Sequence, residues 1–165
     1  MVIATAMLTI LGMIGGYLLN QHRKQSSASS SGTSSATPAE GESSSPPTML
    51  PTEGECTSHT QKMARDIGAI GILSQVLRVT TDRGSVVWIC QDDGGNLFYH
   101  ANKGGEKAKW VEGSTALFLP GVEHEPDGSF RAVASWDGTT FDVNTERLLI
   151  TRGDVTVRSE KVVGG

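Results

Sequence analysis

Cys56 and Cys90 are the only cysteines among the 165 residues. A lone pair suits one disulfide formed in an oxidising compartment. The competing chemistry is metal binding. Cys56 and His59 stand as C-x2-H, and Cys90 with His100 could complete a four-ligand zinc set, yet the second pair lacks finger-like spacing. A catalytic thiol at Cys90, with His100 as base, is as poorly placed. Cys90 closes the apolar run Val86-Val87-Trp88-Ile89-Cys90, and apolar surroundings raise a thiol pKa where a nucleophile needs it lowered. The pair is therefore read as a disulfide.

The remaining polar groupings are read as structure before chemistry. Glu123-His124-Glu125 places carboxylates beside an imidazole, the components of proton transfer or metal binding. Neighbours on a strand point to opposite faces, so the three need not converge. Asp92-Asp93 precedes Gly94-Gly95 without the alternating acids of a calcium loop, and reads as a turn. Arg152-Gly153-Asp154 matches a known adhesion tripeptide, but Gly-Asp is also what a hairpin turn needs. Trp110 lies among Lys107, Lys109 and Glu112 in a polar stretch without alternation. An exposed Trp beside lysines is a contact-residue candidate. The chain carries no G-x-S-x-G, phosphate loop, dinucleotide fingerprint, H-E-x-x-H or kinase motif. The sequence thus assigns no catalytic residue, no cofactor and no metal.

The elements that would position these residues are strands. Between Cys56 and Gly165 the turn signals Asp82-Arg83-Gly84, Asp92–Gly95, Lys103-Gly104-Gly105, Asp127-Gly128, Asp137-Gly138 and Arg152–Asp154 come at short intervals. The runs between them are rich in β-branched and aromatic residues. They predict strands over 73–81, 85–91, 96–101, 116–119, 129–135, 139–143, 148–151 and 155–160. The fold class is all-β, a small antiparallel sandwich or barrel of about 7–8 short strands. Phe130, Ala132, Ala134 and Trp136 fall on one face with Arg131, Val133 and Ser135 on the other, while Phe141 and Val143, and Val155 and Val157, alternate with polar positions. These are half-buried strands. The run from Val86 to Cys90 is apolar on both faces and predicts a central strand covered on both sides. Residues 57–72 are the expected cover, with a short helix at 60–66. Ile67–Ile72 reads equally as helix end or strand. Asn144–Arg147 reads as a brief helical turn.

Upstream, residues 1–21 are expected to be a transmembrane anchor. Met1 to Leu19 hold no charge, a length matching a bilayer core of ~30 Å at ~1.5 Å per helical residue. The start has no Lys or Arg and the apolar run is long, which favours a retained anchor over a cleaved signal peptide. Gly12 and Gly16 form a G-x-x-x-G spacing that could pair two such helices into a homodimer. Residues 22–55 are Ser-, Thr- and Pro-rich and poor in large apolar residues, the composition of a disordered stalk. The β-rich domain then covers residues 56–163.

Orientation signals conflict. Arg23 and Lys24 follow the helix, which alone would hold the domain in the cytoplasm. The stalk composition and the cysteine pair favour the extracytoplasmic side. From Cys56 to Gly165 twelve basic residues face fourteen acidic ones, so nucleic-acid binding has no electrostatic support. The expected partners are the bilayer, through the helix, and a protein or envelope component. The sequence predicts a non-enzymatic, single-pass membrane protein that displays a small binding domain in the cell envelope. Its alternatives are an envelope enzyme or accessory subunit, and a cytoplasm-facing regulatory domain.

Overall fold

The computed structural model describes residues 48–165. The anchor (with Gly12 and Gly16) and the stalk up to residue 47 lie outside the described residues. At its described end, Glu53 and Gly54 hydrogen-bond to Gln75, Glu55 bridges Ser74 and Leu50 packs on the core, so this stretch belongs to the folded domain. After an extended stretch comes helix α1, Ser58–Asp66. Nine strands follow: β1 Ser74–Thr81, β2 Val86–Gln91, β3 Leu97–Asn102, β4 Ala116–Pro120, β5 Glu123–His124, β6 Phe130–Val133, β7 Thr139–Val143, β8 Arg147–Arg152 and β9 Val155–Gly164. They form one antiparallel sheet in the order β4-β3-β2-β1-β9-β8-β7-β6-β5. Each strand lies beside a sequence neighbour, and the β1–β9 pairing joins the two runs. The two edges, β4 and β5, are consecutive in sequence.

The all-β class and the antiparallel pairing agree with the turn spacing. The additional strand is β5, whose two residues are too short to show a period. One core unites both halves of the sheet. Val87, Ile89, Tyr99 and Leu119 from β2–β4 pack with Phe130, Ala132, Phe141, Val143 and Leu148 from β6–β8. The opposite face of β1–β4 carries a second cluster, in which Trp88, Cys90 and Phe98 meet Ala64 of α1, Leu73 and Cys56.

Helix α1 begins where the Thr57 side chain accepts the Thr60 N–H, an N-cap that supplies one missing helical partner. Gln61, buried, fixes the helix to the sheet. Its side chain donates to the Leu73 carbonyl (2.7 Å) and accepts the Leu73 N–H (2.9 Å). With α1 on one face and the shared core on the other, all six residues of β2 are buried. Cys56 and Cys90 lie at disulfide distance, with Cα atoms 6.3 Å apart, tying the chain before α1 to β2.

Three local expectations are corrected. Trp136 does not continue the inward face of β6. The strand ends at Val133, Gly138 N–H bonds back to the Ala134 carbonyl, and Trp136 is 66% exposed. Ile67–Ile72 is neither helix nor strand but a loop. Val155–Ser159 is not half-buried: this half of β9 pairs with β8 alone and is exposed on both faces.

A fourth correction is Asn144–Arg147, which is not a helical turn but the β7–β8 hairpin turn: the Asn144 N–H bonds to the Arg147 carbonyl, and the Asn144 side chain accepts the N–H groups of Glu146 and Arg147 at 2.9 Å. Asp92, buried at the β2–β3 turn, accepts the N–H groups of Ile70, Gly94 and Asn96. Burial pushes its pKa up, but these hydrogen bonds and the Asn96 amide outweigh it and hold the carboxyl below its usual range. The acidic pair is thus a turn hub. Gly153, with φ +55°, and Asp154 form the two-residue β8–β9 turn, which accounts for the Arg-Gly-Asp tripeptide.

Candidate functional site

Between the two halves of the sheet lies a half-open cleft of about 400 Å³. Its walls come from β3, β4, β7 and β8: Tyr99, Ala101, Leu117, Phe141, Leu148 and Ile150. Alternation puts these side chains on the inner face, and small residues at Ala101 and Ala134 leave the space open. The mouth is framed by Ser85 of the β1–β2 turn, Lys103 and residues 113–115 of the β3–β4 loop, Trp136 and Asp137 of the β6–β7 turn, and Arg152. A volume of this order, with apolar walls and a few polar groups, is the usual form of a small-molecule site.

Two charged groups of the cleft, Arg158 and Glu160, come from β9. Glu160 is buried, accepts the Thr81 hydroxyl at 2.6 Å and pairs with Arg158 at 3.2 Å. Tyr99 is fully buried beside it. Burial first, and the nearby Glu160 charge second, push the phenol pKa upward, so it stays a neutral hydroxyl. Arg152, whose strand register places it beside Thr139, pairs with Asp137 at 2.6 Å. Lys103 makes no ion pair among the described residues.

The β3–β4 loop is held from behind by a chain of hydrogen bonds through His100. His100 is fully buried; its Nε2 lies 2.9 Å from Glu112 Oε1 and its Nδ1 2.9 Å from the Thr60 hydroxyl. Burial pushes the imidazole pKa down more strongly than Glu112 raises it, and His59 adds to the lowering, so the ring is neutral near pH 7. A carboxylate only accepts, so Nε2 carries the proton and Nδ1 accepts from Thr60. The Thr57 hydroxyl, 2.9 Å from that of Thr60, then donates to it. The second Glu112 oxygen accepts the Phe118 N–H. Hydroxyl, imidazole and carboxylate stand in the order of a hydrolytic triad. Thr60 is wholly buried, however, so no substrate can reach its oxygen. The arrangement pins the loop to α1.

Trp110, read from sequence as an exposed contact, is half-buried. Its ring packs against Trp88 (5.3 Å between centroids), His59 (4.9 Å) and His100 (4.6 Å), and its indole N–H donates to the Glu106 carbonyl. Lys107 and Lys109 are exposed on the same loop. Asn102 secures that loop further by donating to the carbonyls of Gly105 and Ala108. The structure therefore brings together Trp110, His59, His100 and Glu112, and places Cys56–Cys90 under the same helix. Glu123-His124-Glu125 lies elsewhere: His124 stacks on Phe130 at 4.8 Å and Glu125 pairs with Arg131 at 2.8 Å. The cleft residues carried no motif. Only their inward alternation was visible, and the approach of β3 to β8 across the core was not. No protein-family model, curated protein or solved structure matches the chain.

Proposed function

We propose that this chain is a non-enzymatic, single-pass membrane protein whose β-rich domain binds a small, largely apolar ligand in the cleft, on the extracytoplasmic side. The observation that carries the reading is the cleft itself: about 400 Å³, apolar walls, and a buried Glu160 and Tyr99 at its polar side. Apolar burial at ~25 cal/mol per Å² supplies affinity, and the two polar groups orient the ligand. The cysteine pair at disulfide distance supports an oxidising compartment. The uncharged run from Met1 to Leu19 supports the anchor.

Native mass spectrometry of the full chain, released from its membrane in mild detergent, tests the binding. A retained species of a few hundred daltons is expected, and the Leu117→Trp variant, which narrows the cleft from a half-buried wall position, should lose it. Retention by the folded variant would place binding elsewhere. Protease added to intact cells tests the side of display. A domain that survives intact-cell digestion but is cleaved after lysis would assign it to the cytoplasm.

A further inference from the structure

The segment after α1 reads Ile67-Gly68-Ala69-Ile70-Gly71-Ile72, six residues without a charge. Its three isoleucines are 53%, 57% and 56% exposed. Single exposed aliphatics are ordinary, but three on one short loop form an apolar patch that calls for a partner. The loop is not loose. Gly68 and Gly71 adopt φ of +88° and +70°, which turn the chain twice. The Ala69 N–H bonds to the Ala64 carbonyl, the Ile70 N–H to the Asp92 carboxylate, and the Ile70 carbonyl accepts the Asp93 N–H, all at 3.0 Å. Ala69 packs on the second cluster. The backbone is thus fixed while the isoleucine side chains face water.

Strand direction places this loop. β2 leaves the cleft mouth at Ser85 and Val86 and reaches the opposite end at Gln91, roughly 20 Å away at ~3.3 Å per residue. Asp92, which holds Ile70, follows there. The described chain also begins at that end: the Gln91 side chain donates to the Thr48 carbonyl (3.2 Å) and accepts the Leu50 N–H (2.9 Å). Met49, between them, is 54% exposed. The isoleucine loop therefore lies at the end through which the chain arrives, and the cleft opens at the other.

We propose that the loop Ile67–Ile72 rests on a lipid bilayer, its isoleucines entering the interfacial layer, so that the cleft faces away from the membrane. This rests on the reading of Met1–Leu19 as an anchor. On that reading, a flexible Ser-rich spacer of roughly 30 residues would have a root-mean-square span of about 30 Å and would keep the loop at millimolar effective concentration near the surface. A contact too weak to recruit a free domain then suffices to orient a tethered one. The surface is neutral rather than anionic. Asp93 lies against Gly71, Asp66 is neutralised by Lys62 at 2.7 Å, and the loop itself carries no basic residue.

The test uses the full chain in phosphatidylcholine vesicles with brominated acyl chains, which quench nearby tryptophan emission. I70W and, separately, I72W should each add emission that brominated lipid quenches by half or more. The wild-type emission, which includes the exposed Trp136 at the cleft end, should remain unquenched. Added emission that brominated lipid leaves intact, in protein that stays with the vesicles through an alkaline carbonate wash, overturns the loop contact and leaves the anchor standing. Emission that instead shifts to the blue with protein density, without quenching, assigns the patch to a second copy and also overturns it. Protein lost in the wash defeats the anchor reading, and because quenching is read before the wash the two failures are separate.

Discussion

The two ends of the sheet are built on different terms. In β1–β4 the sheet is sandwiched, with α1 on one face and the shared core on the other, and β2 is buried at every position. In β6–β9 one face meets the core and the other meets water, so β6 alternates buried and exposed, and β9 over Val155–Ser159 is covered on neither side. A side chain enclosed on all sides carries transfer and cavity costs when cut back; one on the wet face carries almost none. Stability should therefore concentrate in the covered half, leaving the second half to shape the cleft.

The sharpest test of that contrast is Trp88, buried between Trp110 and the second cluster. Trp88→Ala should cost about 3–5 kcal/mol, read by denaturant unfolding of the full chain. A loss below about 1 kcal/mol would mean that the helix-covered face is not where stability resides. Next comes the Cys56–Cys90 link, which spans a sequence separation of 34. Reducing it should destabilise by roughly 3–4 kcal/mol on the chain-entropy account. Thiol labelling under denaturing conditions, with and without prior reductant, checks that the link exists. Two thiols that label without reductant would remove it.

His100→Ala should cost about 2–3 kcal/mol, because Glu112 and Thr60 would each lose a buried partner. The wild-type pH profile carries the same information. His100 has its pKa pushed down in the fold, so its contribution is complete above the unfolded value of about 6.5 and is lost as pH falls toward the folded value. Melting temperature should drop on acidification below about pH 6.5, and His100→Gln should flatten that drop. An unchanged slope in the variant would show that His100 does not set it. The smallest effect is expected at the bare half of β9: Val157→Thr, at a position 58% exposed, should change stability by no more than about 0.5 kcal/mol. A loss above about 1.5 kcal/mol would show that this edge is covered in solution.

How much of this was legible beforehand follows from where each signal lives. Gly and Asp at turns act within a few residues, so the antiparallel strands and their order of appearance could be read directly. A strand with one wet face writes its burial as alternation, and Phe141 and Val143 did so correctly. The run Val86–Cys90 announced burial on both faces, and the short helix before it was the natural cover. Alternation misled at Trp136 and Val155–Val157 because a period of two says which residues share a face, not whether anything faces them. The His100 chain was invisible for a related reason: Thr60, His100 and Glu112 come from helix, strand and loop, and no spacing encodes that meeting.

By itself the sequence determined the local terms: a β-rich domain, its turns, the one fully buried strand, and a single cysteine pair. These depend on backbone preference and hydrophobic period, which are properties of neighbouring residues. Only the tertiary structure decided that β9 returns to pair with β1, that this brings β3 and β4 opposite β7 and β8, and that the alanines at 101 and 134 leave a cleft between them. It also decided that Trp110 turns inward onto Trp88 while three isoleucines turn outward. Those outcomes depend on contacts between residues far apart in the chain, where packing volume and hydrogen-bond satisfaction outweigh the preference of any one segment.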